Sequence, residues 1–224
     1  MGDEARLFIQ CLDSLKLATA PITFDIGANV GKYSRRVLEL SPRASIFAFE
    51  PSTVARRDFD PQLVSHTSVE IVPYAVSDTP GSALLWSDKP GSELASLRRR
   101  ELRHLSIRFD SYEEAEVTTL DVFCSQRNIK PHGIKIDVEG IELSVLWGAI
   151  KTLETTGAIQ FEFGGTSLDC RTFFKDYFDF FNERNFLLFR MSPTGLIPAK
   201  LYSEELERFT SQNWIAVIVS SWVS

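Results

Sequence analysis

The segment 22–33 constrains the fold of this chain more than any other stretch. A short apolar run over 22–26 predicts a buried strand that contains one acid, Asp25. Gly27 and Gly31 follow, and a helical pattern begins just before Gly31. A strand, a glycine turn and a helix open a βαβ unit, in which the first N–H groups of the helix lie beside the carboxyl end of the strand. Because open α/β sheets bind ligands there, we expect a ligand site at this turn.

Two further residues define the kind of ligand. Asn29 stands where the dinucleotide fingerprint G-x-G-x-x-G has its second glycine, which lets a pyrophosphate contact the main chain. The amide therefore favours a ligand without a pyrophosphate. Glu50 ends a second apolar run, 45–49, and a carboxylate at this strand end can accept hydrogen bonds from both hydroxyls of a ribose. Together they predict a nucleoside-bearing ligand with its ribose at Glu50.

Composition and charge restrict the class of protein. The 224 residues are 44% hydrophobic, which is enough for one domain with a sizeable core. The net charge of −6 argues against a nucleic-acid-binding surface. The cysteines are too far apart for a C-x-x-C pair, and no His, Cys or acid pattern indicates a metal site. No signal-peptide or membrane-spanning pattern is present, so we expect a cytoplasmic protein without membrane contact, either a monomer or a homodimer.

Strands alternate with helices along most of the sequence. Besides the strands at 22–26 and 45–49, strands are predicted at 69–76, 133–139, 158–163, 186–190 and 214–219, with shorter ones at 83–86 and 117–120. Helices are predicted at 4–17, 30–41, 53–63, 121–128, 140–153, 169–184 and 203–209. This order predicts an α/β fold with a mostly parallel sheet and helices on both faces. Residues 1–21 are expected to form a helical segment before a single domain, 22–224.

A basic insert at about 79–116 interrupts the alternation. It contains Arg98, Arg99, Arg100 and His104 in an otherwise acidic chain. One interpretation is an ordinary solvated helix face. The other is a flap over the active site, in which Arg98, Arg99 and His104 attract an anionic substrate. His104 could alternatively be a base or simply be exposed.

Several motifs in a fixed order resemble one protein family. They are FDIGANVGKY (24–33), FAFEP (47–51), YAVSD (74–78), VTTLD (117–121) and IKIDVEGIELSVLWGA (134–149). This series resembles the FkbM family of S-adenosylmethionine-dependent methyltransferases over about residues 22–165. The resemblance implies a class I methyltransferase (Rossmann-like) fold, with a seven-stranded, mostly parallel sheet and an antiparallel last strand. It also implies O-methylation of a hydroxyl on a sugar or another small metabolite, with S-adenosylhomocysteine as product.

The resemblance assigns roles to particular positions. The residues expected to bind the cofactor are Asp25, Gly27, Asn29, Gly31, Tyr33, Glu50, Ser77, Asp78 and Asp137. The first four would surround its methionine portion, Glu50 would hold the ribose, and Ser77 and Asp78 would lie near the adenine. Asp137 and Glu139 would face the transferable methyl group, and Glu162 is a further candidate for substrate binding.

An alcohol that accepts a methyl group must lose a proton, and a carboxylate is a natural base for it. Asp137 and Glu139 share one strand face with Lys135 if the strand remains extended, so either can be the catalytic base. The alternative is that Glu139 or Glu142 only complements the N-terminus of the next helix. At the level of function, the alternatives are a Rossmann-type nucleotide-dependent oxidoreductase and a non-catalytic S-adenosylmethionine-binding protein.

Overall fold

A computed structural model of the chain describes residues 4–219. The strands within them are β1 (Ile22–Ile26), β2 (Ser45–Phe49), β3 (Val69–Val72), β4 (Ala75–Val76), β5 (Gly81–Ser87), β6 (Ser111–Thr118), β7 (Gly133–Ile136), β8 (Ala158–Phe163), β9 (Phe186–Ser192), β10 (Gly195–Ala199) and β11 (Gln212–Ile218). The α-helices are α1 (Glu4–Leu15), α2 (Lys32–Leu40), α3 (Thr53–Arg57), α4 (Pro61–Val64), α5 (Leu120–Arg127), α6 (Glu142–Trp147), α7 (Ile150–Leu153), α8 (Gly165–Cys170) and α9 (Phe174–Asn182).

The main sheet confirms the α/β prediction. Its strand order is β10-β9-β11-β8-β7-β1-β2-β3. The strands β8, β7, β1, β2 and β3 are parallel, whereas β11 runs antiparallel to both β8 and β9. The carboxyl ends of β1, β2, β7 and β8 therefore lie along one edge, which is the edge where parallel sheets bind ligands.

Apolar side chains cover both faces of this sheet. On one face Phe24, Phe49 and Phe123 pack edge to face, with ring centroids 4.8–5.9 Å apart. On the other face, buried residues of α1, such as Phe8 and Leu12, pack in a second core cluster with residues of β2. This double cover explains why the central strands are almost continuously apolar. It also makes Asp25 and Lys135, buried on β1 and β7, exceptional.

The sheet has eight strands in the described part of the chain, one more than the seven expected. The additional strand, β10, forms a hairpin with β9 at the sheet edge. Its sequence predicts no strand because it contains Pro198, which lacks a backbone donor; an edge position tolerates this residue. The antiparallel β11 agrees with the expected last strand.

Several predicted elements are shorter or divided. The predicted strand 69–76 is interrupted at Pro73 and Tyr74, and its second part, β4, belongs to a separate three-stranded sheet with β6 and β5. The helices expected at 53–63, 140–153 and 169–184 are each two helices, and that at 203–209 is one 3-10 turn, Glu204–Leu206. Loop contacts outweigh helix propensity at these short segments.

The basic insert is neither a helix nor a free loop. It contains β5 and most of β6, which form an antiparallel pair, and its larger part is the loop over residues 88–110 that joins them and that we call the crossing loop. Within it, only Arg103–Leu105 is helical, as a 3-10 turn. The helix-face interpretation of the arginines is therefore wrong.

Candidate active site

A pocket of about 510 Å³ lies at the carboxyl edge of the main sheet. Its polar wall comes from the ends of β1, β2 and β7, and its apolar wall comes from the second sheet and the crossing loop. The lining residues are Ile26, Gly27, Asn29, Phe49, Glu50, Pro51, Tyr74, Ala75, Val76, Leu85, Ser92, Glu93, Ala95, Ser96, Leu97, Asp137, Val138 and Ile141. Mostly apolar walls with a few polar groups are typical of a site for a small molecule. We call it the cofactor pocket.

Glu50 is 5% exposed and is the main buried polar group of this pocket. Its Oε2 accepts the N–H of Asn29 and its Oε1 accepts the N–H of Ser52, both at 2.8 Å. Burial raises the pKa of Glu50, although these hydrogen bonds oppose the shift. Each oxygen keeps acceptor capacity for a further donor, so the carboxylate can receive two hydroxyls of a ribose.

The glycine turn has the backbone conformation that its residues allow. Gly27, Asn29 and Gly31 have φ values of 78°, 47° and 86°. A Cβ on Gly27 would lie 1.9 Å from the carbonyl oxygen of Asp137, so only glycine permits this close approach of β1 and β7. Gly31 does not line the cofactor pocket; a Cβ there would meet Phe59, so the residue serves helix packing.

Asp25 does not line the cofactor pocket but stabilises the strand ends that form it. It is 2% exposed, accepts a hydrogen bond of 2.7 Å from Ser34 and lies 3.1 Å from Lys135 Nζ. Lys135 Nζ also donates to the carbonyl of Gly27 at 3.1 Å and lies 3.6 Å from Asp137. These charges raise the pKa of Lys135 against the effect of burial, so the cation links the tips of β1 and β7.

Asp137 and Glu139 do not share a strand face. The strand β7 ends at Ile136, and Glu139 adopts φ 58°, so the chain turns before it. The side chain of Asp137 is 41% exposed and lines the pocket, whereas that of Glu139 is 17% exposed and pairs with Arg100 at 2.7 Å. Burial, followed by repulsion from Asp137, raises the pKa of Glu139 to about 8. The two acids thus differ in environment.

The crossing loop closes one side of the cofactor pocket through three contacts. Asn29 Nδ2 donates to the Gly91 carbonyl at 3.4 Å. Ser96 Oγ donates to the Glu139 carbonyl at 2.9 Å. Arg100 reaches the carboxylates of Glu139 and Asp169 with a side chain only 9% exposed. No local sequence pattern indicates these contacts, since the partners lie 39 to 69 residues apart.

A second pocket, of about 620 Å³, adjoins the first and shares Gly27, Asn29, Glu93 and Asp137 with it. We call it the acceptor pocket; its remaining lining residues are Ala28, Val30, Lys32, Tyr33, Lys135 and Glu139. Tyr33 donates through its hydroxyl to Gln160 at 2.7 Å, which fixes its ring at this wall.

Glu162, at the end of β8, lies close enough to Asp137 for their carboxyls to interact. Burial, followed by repulsion from Asp137, raises the pKa of Glu162, and Ser211 donates a hydrogen bond to it. Burial, followed by repulsion from Asp137, also raises the pKa of Glu4 on α1. The region around Asp137 is therefore rich in carboxyl groups, and Lys135 is buried beneath it.

The remaining predicted residues lie apart from the cofactor pocket. Ser77 and Asp78 line a neighbouring depression with Arg98, so their contact with adenine stays a prediction. Arg99 is exposed, pairs with Asp110 at 2.9 Å and lies over a tryptophan ring. His104 is exposed in the 3-10 turn of the crossing loop. The apolar wall of the cofactor pocket, which includes Tyr74 and Leu85, was missed because it comes from the second sheet and the segment leading into it.

Comparisons with known proteins agree with this geometry. The family model described as the methyltransferase FkbM domain matches residues 25–188. The 2-O-methyltransferase NoeI of Sinorhizobium fredii (strain NBRC 101917 / NGR234) is 30% identical over 158 residues, which are 66% of this chain and 65% of that protein. The chain thus aligns with slightly less than two thirds of that relative's length.

Solved structures are similar at the level of fold. The Methanococcus jannaschii fibrillarin pre-rRNA processing protein superposes with a TM-score of 0.51 at 9% identity, covering 90% of this chain and 68% of that one. The precorrin-6y C5,15-methyltransferase of Geobacter metallireducens GS-15 has a TM-score of 0.48 at 11% identity, covering 94% and 86%.

The sheet order, the acid at the end of β2 and the glycine turn define a domain of the class I methyltransferase type. The family match covers most of the chain. The protein belongs to the FkbM methyltransferase family.

S-adenosylmethionine is the cofactor of this family's domain, and the residues of the cofactor pocket fit it. Glu50 offers a buried carboxylate for a ribose diol, the apolar wall offers a surface for a base, and Gly27 leaves the main chain accessible. Within residues 4–219, no group of three or more His, Cys, Asp or Glu side chains could hold a metal ion. In the same range, no helix combines the length and the apolar character that crossing a membrane requires.

Proposed function

We propose that this protein is an S-adenosylmethionine-dependent O-methyltransferase that acts on a hydroxyl group of a sugar or another small metabolite. One observation carries the proposal: Asp137, whose side chain is 41% exposed, is among the few residues that line both the cofactor pocket and the acceptor pocket. The 2-O-methyltransferase relative supports oxygen as the acceptor atom.

The roles of the residues follow from their positions. The bound cofactor supplies an electrophilic methyl group attached to a sulfonium. Glu50 accepts hydrogen bonds from the ribose, and the glycine turn binds the methionine portion. Asp137 would accept the proton of the acceptor hydroxyl while the hydroxyl oxygen takes the methyl group that the bound cofactor would supply. Such proton transfer contributes about 10²–10⁴-fold to a rate, and alignment in the two adjoining pockets contributes more.

Asp137 is the better candidate for the base than Glu139. Its side chain is partly exposed, lines the acceptor pocket and lies 3.6 Å from the Lys135 ammonium. Glu139 accepts a hydrogen bond from Arg100, and its raised pKa keeps it mostly protonated near neutral pH. We propose that Glu139 anchors the crossing loop as a flap and that Asp137 carries out the chemistry.

The charges of the acceptor pocket favour a neutral acceptor. It is lined by the carboxylates of Glu93 and Asp137 and by the mostly protonated carboxyl of Glu139, and its cations are Lys32, already paired with Glu93, and the buried Lys135. A neutral polyol can donate hydrogen bonds to such carboxylates, whereas an anion would be repelled. The alternative proposal, an anionic acceptor bound by Arg98, Arg99 and His104, would require the acceptor to extend along the outside of the crossing loop.

Transfer of a labelled methyl group tests the proposed activity. The protein is incubated with S-adenosylmethionine labelled on the methyl carbon and with a panel of sugars, phenols, amines and phosphorylated alcohols. We expect label on a neutral hydroxyl compound, and none on the amines. A protein that binds S-adenosylhomocysteine but labels nothing in an extended panel would instead be a non-catalytic binding protein. Monomer or homodimer, a cytoplasmic location, and the absence of nucleic-acid and membrane partners stay predictions.

A further inference from the structure

Glu142 is a buried acid for which the proposed reaction has no direct use. It is the first residue of α6 and is 1% exposed, so its carboxylate reaches neither pocket. A carboxylate at this depth is costly unless hydrogen bonds stabilise it. The position of those hydrogen bonds therefore indicates what the residue does.

The carboxylate of Glu142 binds the turn that follows β7. Its Oε1 accepts the N–H of Val138 at 3.1 Å and that of Gly140 at 3.0 Å, and its Oε2 accepts the Gly140 N–H at 3.1 Å. The donors are thus backbone groups on both sides of Glu139. Burial raises the pKa of Glu142 to about 7 against the lowering effect of these N–H groups.

The turn that these bonds hold has a conformation that needs support. Glu139 has φ 58° and Gly140 has φ 113°, and a non-glycine residue in the left-handed region is strained by roughly 1 kcal/mol or more. A Cβ on Gly140 would approach the carbonyl of Thr166 to 2.8 Å, so the turn is also packed against α8. Without the carboxylate, the N–H groups of Val138 and Gly140 would lose their acceptor.

We propose that Glu142 is a positioning residue for the reaction: it fixes the turn after β7 and thereby aims the Asp137 carboxylate at the acceptor pocket. This inference rests on the proposed function. Asp137 itself is joined to the turn on one side and to β1 on the other, since its N–H donates to the Ile26 carbonyl at 3.0 Å. The hydrogen bond to Ile26 fixes the backbone of Asp137 against β1. The hydrogen bonds of Glu142 fix the direction of the backbone after Asp137.

The test uses three variants of the full chain. Glu142→Ala removes the acceptors, Glu142→Gln keeps one amide oxygen that can accept the same N–H groups, and Asp121→Ala is the matched control. Asp121 also accepts backbone N–H groups across elements, from Lys151 at 3.1 Å and Thr152 at 2.8 Å, but it lines neither pocket. Amide hydrogen exchange by NMR, calorimetry with S-adenosylhomocysteine, and kcat and KM for the acceptor found in the label screen are measured for each.

We expect Glu142→Ala to lower the exchange protection of the Val138 and Gly140 amides and to lower kcat about tenfold or more, because buried donors lose their partners. Affinity for S-adenosylhomocysteine and KM should change less than about threefold, since the Glu50 side of the site is untouched. Glu142→Gln should restore most of the protection and of kcat. Asp121→Ala should lower thermal stability without this kcat effect.

Three results would overturn the proposal. One is full protection of the Val138 and Gly140 amides in Glu142→Ala. Another is an equal loss of kcat in Asp121→Ala, which would indicate general destabilisation. The third is a Glu142→Gln variant as slow as Glu142→Ala despite a protected turn. Should the wild-type protein label no acceptor, the proposed function fails separately, and the exchange protection of the two amides alone decides whether Glu142 fixes the turn.

Discussion

Asp25 and Glu50 are both buried carboxylates at strand ends, but their partners give them different tasks. Asp25 is paired with Lys135 and accepts a hydrogen bond from Ser34, so it stabilises the junction of β1 and β7. Glu50 is held by two backbone N–H groups and faces the cofactor pocket. A carboxylate with fixed orientation and remaining acceptor capacity is suited to bind a ligand, because little ordering is required on binding.

Replacement of Glu50 by Gln tests this assignment. The amide cannot accept from both Asn29 and Ser52 with its two terminal atoms, since one of these atoms is itself a donor. We expect affinity for S-adenosylhomocysteine to fall about tenfold to a hundredfold in calorimetry, as for the loss of a hydrogen bond to a charged group. The control is Glu70→Gln, which removes an exposed partner of Arg127. Equal affinities in both variants would contradict a ribose site at Glu50.

Replacement of Asp137 by Asn separates chemistry from binding. The amide preserves the shape of the side chain but cannot take a proton, so we expect kcat to fall about 10²–10⁴-fold. Affinity for S-adenosylhomocysteine should stay within about threefold, because Glu50 lies on the other side of the pocket. The comparison is the Glu139→Gln variant, for which we expect an unchanged kcat. If Glu139→Gln were the inactive variant, the assignment of the base would be reversed.

At the scale of the secondary-structure elements, the crossing loop contacts several separate parts of the site. It supplies one wall of the cofactor pocket and is fastened to the glycine turn, to the turn after β7 and to α8. We expect ligand entry and release to break some of these polar contacts, while buried side chains such as Leu102 and Phe109 keep the rest of the loop packed.

Arg100 holds the crossing loop through contacts with two acidic side chains, Glu139 and Asp169. The variant Arg100→Met tests whether the loop controls ligand release. Methionine keeps an apolar stem against Phe109 but leaves Asp169 without its cation and Glu139 without its hydrogen-bond donor. We expect S-adenosylhomocysteine to dissociate about tenfold faster in stopped-flow measurements, because breaking a buried pair strongly destabilises the closed arrangement. Arg103→Met, at a side chain 86% exposed, is the control. Identical dissociation rates would rule out the loop as a gate.

Charge reversal on the outer face of the crossing loop tests the charge of the acceptor. Arg98 and Arg99 are exposed, and Arg99 already pairs with Asp110. For a neutral acceptor, the double variant Arg98→Glu/Arg99→Glu should change the acceptor KM less than about twofold, because exposed charges contribute little. A KM increase of about tenfold or more would instead support an anionic acceptor bound at these arginines.

At the scale of the whole molecule, the sequence predicted those parts of the site that are local in the chain. The glycine turn, Glu50 and the position of Asp137 each depend on a strand end and the residues next to it. The end of β7 at Ile136 was not predictable, because apolar alternation continues to Val138 while the left-handed Glu139 turns the chain. The contact of Arg100 with Glu139 joins segments 39 residues apart, and no local pattern encodes it.

The pH dependence of stability reports on the buried acids as a group. Burial raises the pKa of Glu139 to about 8 and that of Glu142 to about 7, above the ordinary value of 4.5 that applies to the unfolded chain. From about pH 7 to about pH 8 the folded protein therefore holds carboxyl protons that the unfolded chain has lost. Both groups then favour the folded state less as the pH rises.

We accordingly expect the free energy of unfolding, measured by urea denaturation, to decrease by about 1 kcal/mol from about pH 7 to about pH 8. In Glu139→Gln the position cannot ionise, so the decrease should be smaller than in the wild-type protein. His132 has a pKa lowered by burial and is largely neutral in both states in this range, so it does not produce the effect. A stability that rises over this interval, or an equal slope in the variant, would contradict a protonated Glu139 in the folded protein.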